Sequence, residues 1–421
     1  MIEPKPRGER SPQLPAGPDE VTSHNIRYLY LEVAWFGTLA GVIFTFLAVF
    51  AVRLGASDFW VSALTSGSAL VNVFWLFPAA RIVERHAQPL LLILRTTFVF
   101  RTSFVLVAMI PLLPQPYQVP VLVAIVILQT FPAGISGVAF TAMLAQVVPA
   151  QRLAQVMSVR SALHGIVYTL TVFLGGWWLE LARFPWNYSV LFLYGWVGAM
   201  IGQWFLSRLK LPERAVTPPT RRARHLLLAL RWRLLRRQLS SQGEFVHFTL
   251  AALVLQLGLN LPVSLFPIFW VRQLGASDAW VGLLSMVFNG VSVAMYTLVT
   301  PLVRRWGNTR LSAYSSMGIA LYPLLTALAP SVPALLLPSV VGGAIAAVMN
   351  VTLFNRLIEV CPKEQRPTYI GAYSALANLA IFAGPLLGAA LAQPLGIIGV
   401  FYLATVVRAA GGALFLLRRS L

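Results

Sequence analysis

A few charged and amide side chains sit inside long apolar stretches of this chain, and theirs are the residue types that could do chemistry. Glu32 and Arg95 fall about 9 Å and about 8 Å from the near ends of their stretches, at a helical rise of about 1.5 Å per residue. Their depths match, and either charge alone would be costly in hydrocarbon, so the spacing predicts an ion pair. Arg101 lies about 16 Å in by the same rise, with Asn72 at comparable depth as a hydrogen-bond partner. Two roles fit Glu32. It is either a proton-coupling carboxylate tuned by a nearby arginine or half of a clamp that holds the first helix on the third.

A second set is neutral. Gln256 and Asn260 are four residues apart and therefore share one helix face. Asn289, Asn350 and Asn378 stand on three further stretches, and all five fall roughly 15 to 24 Å deep by the same rise. Amides that converge near the middle of a membrane can hold a polar substrate group, or they can bond helix to helix. Pro262, just after Asn260, is expected to kink its helix and free a carbonyl. Trp35 and Trp75, with Phe36 and Tyr168, either line the first half of such a cavity or pack against neighbours.

Enzymatic patterns do not emerge. His24, His86, His164, His225 and His247 are scattered over separate segments without a nucleophile–base pairing. A glycine-rich Lys-Ser/Thr phosphate loop is missing, and Cys361 is the single cysteine, so no disulfide, metal or redox motif forms. No catalytic group, cofactor or metal is expected.

The elements that position these residues are helices in a bilayer. Of 421 residues, 58% are hydrophobic and only 11% charged, against about 25% charged in a soluble protein. Apolar runs of about twenty residues recur along nearly the whole chain, each long enough to cross a membrane. They predict an all-α integral membrane protein with twelve spans: Ile26–Val52, Asp58–Ala80, Pro89–Leu113, Tyr117–Val147, Arg160–Ala182, Tyr188–Leu209, Phe245–Val271, Asp278–Val303, Leu311–Ala329, Val332–Val360, Thr368–Gln393 and Leu395–Leu417. Residues 1–24 read as a disordered tail, 25–209 and 244–421 as two six-helix bundles, and 210–243 as a basic linker.

The net charge of +19 sits in short turns between apolar runs, which suits topology and anionic lipid rather than nucleic acid. Arg81, Arg85, Arg152, Arg304, Arg305, Arg310, Lys363 and Arg366 all fall on one side, and the positive-inside rule then puts both termini in the cytoplasm. The linker part Arg221–Leu239 alternates arginine with leucine. It is either an amphipathic helix lying on anionic lipid or a plain topology-setting loop.

The chain is duplicated. VRLGASDFWVSAL (Val52–Leu64) returns as VRQLGASDAWVGLL (Val271–Leu284), with Leu54 and Leu274 separated by 220. VAFTAMLAQVVP (Val138–Pro149) aligns with VTLFNRLIEVCP (Val351–Pro362) at 213. Two parallel six-helix halves leave one path between them.

With these features the chain resembles the major facilitator superfamily over nearly its whole length past the tail. TPLVRRWGNT keeps Arg305 and Gly307 of the family's basic turn, with Thr300 and Arg304 in place of Gly and Asp. FPAARIVERH keeps Arg85. Gly384-Pro385-Leu386-Leu387-Gly388-Ala389 echoes, on the eleventh helix, a pattern that the family's antiporters carry on the fifth. The resemblance implies that helices one, four, seven and ten face the path and that helix three is peripheral. It implies a secondary transporter working by alternating access, a monomer in the plasma membrane that moves a small amphipathic or weakly polar molecule, with proton-coupled export as the first form. The alternatives are a lipid-modifying membrane enzyme and a transport-dead sensor on the same scaffold.

Overall fold

The computed structural model describes residues 18–86, 88–211, 243–362 and 366–416, and every regular element among them is helical. The residues 1–17 and most of the basic linker, including the proposed amphipathic part, lie outside the described residues. Helices are what the composition demands, because a backbone in hydrocarbon must satisfy its own hydrogen bonds.

The first half holds α1 (Pro18–Arg53), α2 (Asp58–Arg85), α3 (Pro89–Ala108), α4 (Gln115–Leu128), α5 (Thr130–Val147), α6 (Ala150–Leu181) and α7 (Trp186–Ser207). The second holds α8 (Gly243–Asn260), α9 (Leu265–Ile268) running into a π turn at Phe269–Gln273, α10 (Asp278–Trp306), α11 (Asn308–Gly318), α12 (Leu321–Ala327), α13 (Leu336–Val360) and α14 (Arg366–Leu414). Ten stretches are long and apolar enough to cross a membrane. The last of them divides at Gly396, whose φ of 71° is not helical, and α11 with α12 makes a further short pair. The tally is therefore between ten and twelve. Two expected boundaries move. α1 begins at Pro18, so residues 18–24 are helical rather than tail. α6 begins at Ala150 rather than Arg160.

The duplicated string is a turn. Gly55 and Gly275 adopt φ of 87° and 67°, a region that costs glycine little. Ser57 and Ser277 then take the extended conformation of a helix N-cap, and Asp58 and Asp278 open α2 and α10, where a carboxylate meets the positive end of the helix dipole. These two turns mark one end of the bundle, the repeat end below. At the other end the start of each half is tied to its exit. Asn25 and Lys210 exchange two hydrogen bonds of 2.9 Å, and His247 Nε2 lies 2.7 Å from the carbonyl of Leu414.

The cores follow the same division. At the repeat end one apolar cluster runs through both halves and includes Phe46, Phe50, Phe192, Phe266, Phe269 and Phe401. At the opposite end each half keeps a core of its own, built on Leu29, Ile93 and Met143 in the first and on Phe245, Phe248 and Leu357 in the second. The halves are fused at one end and packed separately at the other.

Candidate functional site

Reciprocal ion pairs close the repeat end. Arg53 reaches Asp278 across the halves at 3.2 Å and also donates to the carbonyl of Ala276 at 3.0 Å. Its counterpart Arg272 reaches Asp58 at 3.1 Å and donates to the carbonyl of Ala56. Each copy of the repeated string thus supplies the arginine for the other copy's aspartate. Glu180, at the end of α6, accepts from the Ala279 amide at 3.1 Å and satisfies a donor at the start of α10. Buried Ser62 donates to Ser264 at 2.7 Å. Close to these contacts α6 and α10 meet at glycines. A Cβ on Gly282 would stand 2.7 Å from the Val172 carbonyl, and one on Gly176 would stand 2.9 Å from the Asp278 carbonyl.

Away from that end the halves enclose space. A cavity of about 550 Å³ is lined by Phe44 of α1 and by residues of α8 to α14, among them Gln256, Asn260 and Asn289. A second, of about 410 Å³, is lined by Arg160 and His164 of α6, Asn289 of α10 and Asn350 of α13. The two share Phe288, Asn289 and Ala346. Asn260 and Asn289 each donate their amide nitrogen to the carbonyl four residues back, at 2.8 Å in both cases.

The other expected residues fall elsewhere. Asn378 lines neither cavity and donates to the Ser374 carbonyl. Trp75 donates from its indole to the Phe131 carbonyl at 2.8 Å and packs on the α2–α5 seam beside Gly134. Trp35 lies against Gly202 of α7. Neither tryptophan forms part of the two cavity walls.

Glu32 has different partners from the one its depth implied. It pairs with Arg101 at 2.7 Å and with Arg160 at 3.3 Å, all three residues being at most 7% exposed. Arg101 also donates to the Ala199 carbonyl on α7 at 2.8 Å, and Arg160 to the Leu29 carbonyl on α1 at 2.5 Å. One carboxylate therefore ties α1, α3, α6 and α7 together. Arg95 is exposed on the outer face of α3 among Phe98, Val99 and Trp204. The reason is the start of α1. Counted from Pro18 rather than Ile26, Glu32 moves about 12 Å deeper, which brings it nearer to Arg101 than to Arg95. Arg101 in turn bonds Glu32 and Ala199 instead of Asn72, which stands beside Gly134.

Two arginines escape the sequence reading. Arg160 looks like the first residue of a helix, whereas it lies ten residues inside α6. Arg408 lies in the second arm of α14, 3% exposed, and borders the larger cavity. It donates to the carbonyls of Gly258 (3.0 Å), Leu259 (3.2 Å) and Ile319 (3.1 Å). Proline explains the first. Pro262 has no amide hydrogen, so Gly258 loses the donor an unbroken helix would give it. Ile319, four residues before Pro323, accepts from the Tyr322 amide at 3.2 Å instead. A polar residue inside the last apolar run, read together with a proline four residues past the Gly258 carbonyl, is the signal that could have found it.

The chain matches a family model described as the Major Facilitator Superfamily over residues 31–327 and 248–420. No curated protein matches it. Among solved structures it is similar to a variant of the nucleoside transporter NupG, with a TM-score of 0.73 and 10% identity over 95% of this chain and 100% of that one. It is similar to a D-xylose-proton symporter, with a TM-score of 0.71 and 15% identity over 94% and 96%. It is also similar to a bacterial homologue of the iron transporter ferroportin, with a TM-score of 0.72 and 11% identity over 95% and 99%. At these identities the likeness is one of fold.

Proposed function

The chain belongs to the major facilitator superfamily, and from that premise we propose that it moves a small amphipathic or weakly polar molecule across the plasma membrane by alternating access. One observation carries this reading. The halves share a core and two reciprocal ion pairs at the repeat end, while at the other end each has its own core and a cavity lies between them. That is the geometry of a path closed at one end. The arginine asymmetry of the turns puts the open end in the cytoplasm, with both termini and the linker. Substrate enters there and meets Gln256, Asn260 and Asn289. The repeat end then parts. The more exposed pair, Arg272–Asp58, is worth about 0.2–1 kcal/mol, weak enough for a latch that must open.

The experiment is labelling of Asn289→Cys in a Cys361→Ala background with an impermeant maleimide. It should label from the cytoplasmic side of inverted vesicles and resist label from outside intact cells. Arg53→Gln with Arg272→Gln should bring outside labelling up. Labelling from outside without those changes, or none from the cytoplasmic side, overturns the reading.

Glu32 is a clamp in this account. A coupling role for proton-driven export is favoured by one contact, because Arg160 bonds Glu32 and also lines the smaller cavity. Proton on the carboxylate would release that guanidinium toward the path. A stable Glu32→Gln protein that keeps substrate exchange but loses pH-driven flux assigns Glu32 to coupling.

A further inference from the structure

We propose that the cavity beside Arg408 receives the anionic head of a small amphipathic organic acid. This narrows the substrate class of the transport site above and rests on that reading. Arg101, Arg160 and Arg408 are all buried within the described helices. Arg101 and Arg160 share Glu32. Among the described residues no carboxylate pairs with Arg408, whose bonds all go to main-chain carbonyls. Carbonyl dipoles orient a guanidinium without cancelling its charge, and an uncompensated ion in a dry interior is costly.

A guanidinium has five N–H groups, and Arg408 spends one from each nitrogen on the three carbonyls. Each terminal nitrogen keeps one. Arg408 on the cavity wall calls for an acceptor with negative charge. Much of the rest of the wall is apolar, with Phe44, Phe266, Phe288 and Met349, beside the neutral amides of Gln256, Asn260 and Asn289. The space of about 550 Å³ fits a small molecule with a hydrocarbon body. A carboxylate or sulfonate on an aryl or alkyl body satisfies both parts. A plain structural role, in which Arg408 only fills main-chain carbonyls, gives no preference for an anion.

The test is calorimetric titration of the full chain in nanodiscs of zwitterionic lipid, with empty nanodiscs subtracted. Three matched pairs serve as probes: hydrocinnamate and its amide, octanoate and its amide, benzenesulfonate and its sulfonamide. At least one anion should bind about tenfold or more tightly than its neutral partner. Arg408→Lys keeps the charge and loses the fork, and it should narrow the preference without abolishing it. The proposal is overturned if no anion of the set binds the unsubstituted protein more tightly than its partner. It is also overturned if Arg408→Lys leaves the preference intact. These titrations need no transport, so they can fail while the maleimide experiment succeeds, and the reverse.

Discussion

Glu32 shows how one residue decides the cost of its neighbours. It is the shared counter-charge of Arg101 and Arg160, and all three are buried. Removing one member of a buried ion pair costs about 3–5 kcal/mol, because the other charge is left uncompensated. Glu32→Gln should therefore lower the thermal midpoint and the yield of folded protein strongly. Adding Arg101→Gln should restore part of the loss, which a double-mutant cycle on the midpoints would measure. Arg95→Gln should change stability by less than about 0.5 kcal/mol, as an exposed substitution does. If Arg95→Gln is as damaging as Arg101→Gln, the pairing assigned here is wrong.

At the scale of elements, broken helices organise the second half. α8 gives way to α9 near Pro262, and α11 to α12 near Pro323. Arg408 fills carbonyls at the ends of α8 and α11, just before both breaks. Pro262→Ala returns an amide hydrogen to the Gly258 carbonyl. It should thus recover about 1 kcal/mol, the worth of one hydrogen bond, of the stability lost in Arg408→Gln. Thermal melts of the two single variants and the double variant check this, and strict additivity would refute it. The glycine contact of α6 with α10 gives a second test. Gly282→Leu places a side chain where 2.7 Å separates a Cβ from the Val172 carbonyl, so it should hold the repeat end apart and raise outside labelling of Asn289→Cys. Unchanged labelling would mean that the close approach is not needed for closure.

These elements also show what a sequence carries. The two Leu-Gly-Ala-Ser-Asp strings are legible as matching turns because each part has a local job: glycine for the positive φ, serine at the cap, aspartate at the helix start. That the arginine before each string serves the other string's aspartate is not local, and no spacing reveals it. Gln256, Asn260, Asn289 and Asn350 are legible as cavity residues, since amides deep in apolar runs are few and the structure brings these four to the two joined cavities. Trp35 and Trp75 are not separable from packing by type alone, because an aromatic ring suits a seam as well as a cavity. The Glu32 partner fails on a start point. Depth counted from Ile26 selects Arg95, while depth counted from the true start at Pro18 selects Arg101.

At the scale of the whole molecule, alternating access requires two halves that rock about a central site, here joined at the repeat end. The shared phenylalanine-rich core and the two Arg–Asp latches hold that end, while each half keeps a core of its own at the other. Rocking requires the two ends to move in opposite senses. Electron–electron double resonance reads this directly in a Cys361→Ala background. One spin-label pair at Leu112 and Leu328 spans the repeat end, and another at His86 and Arg305 spans the opposite end. With the latches intact, the first distance should be short and the second long. Arg53→Gln with Arg272→Gln should shift a fraction of molecules to a longer first distance and a shorter second one, in equal proportion. Both distances unchanged, or both lengthening together, would contradict alternating access between these halves.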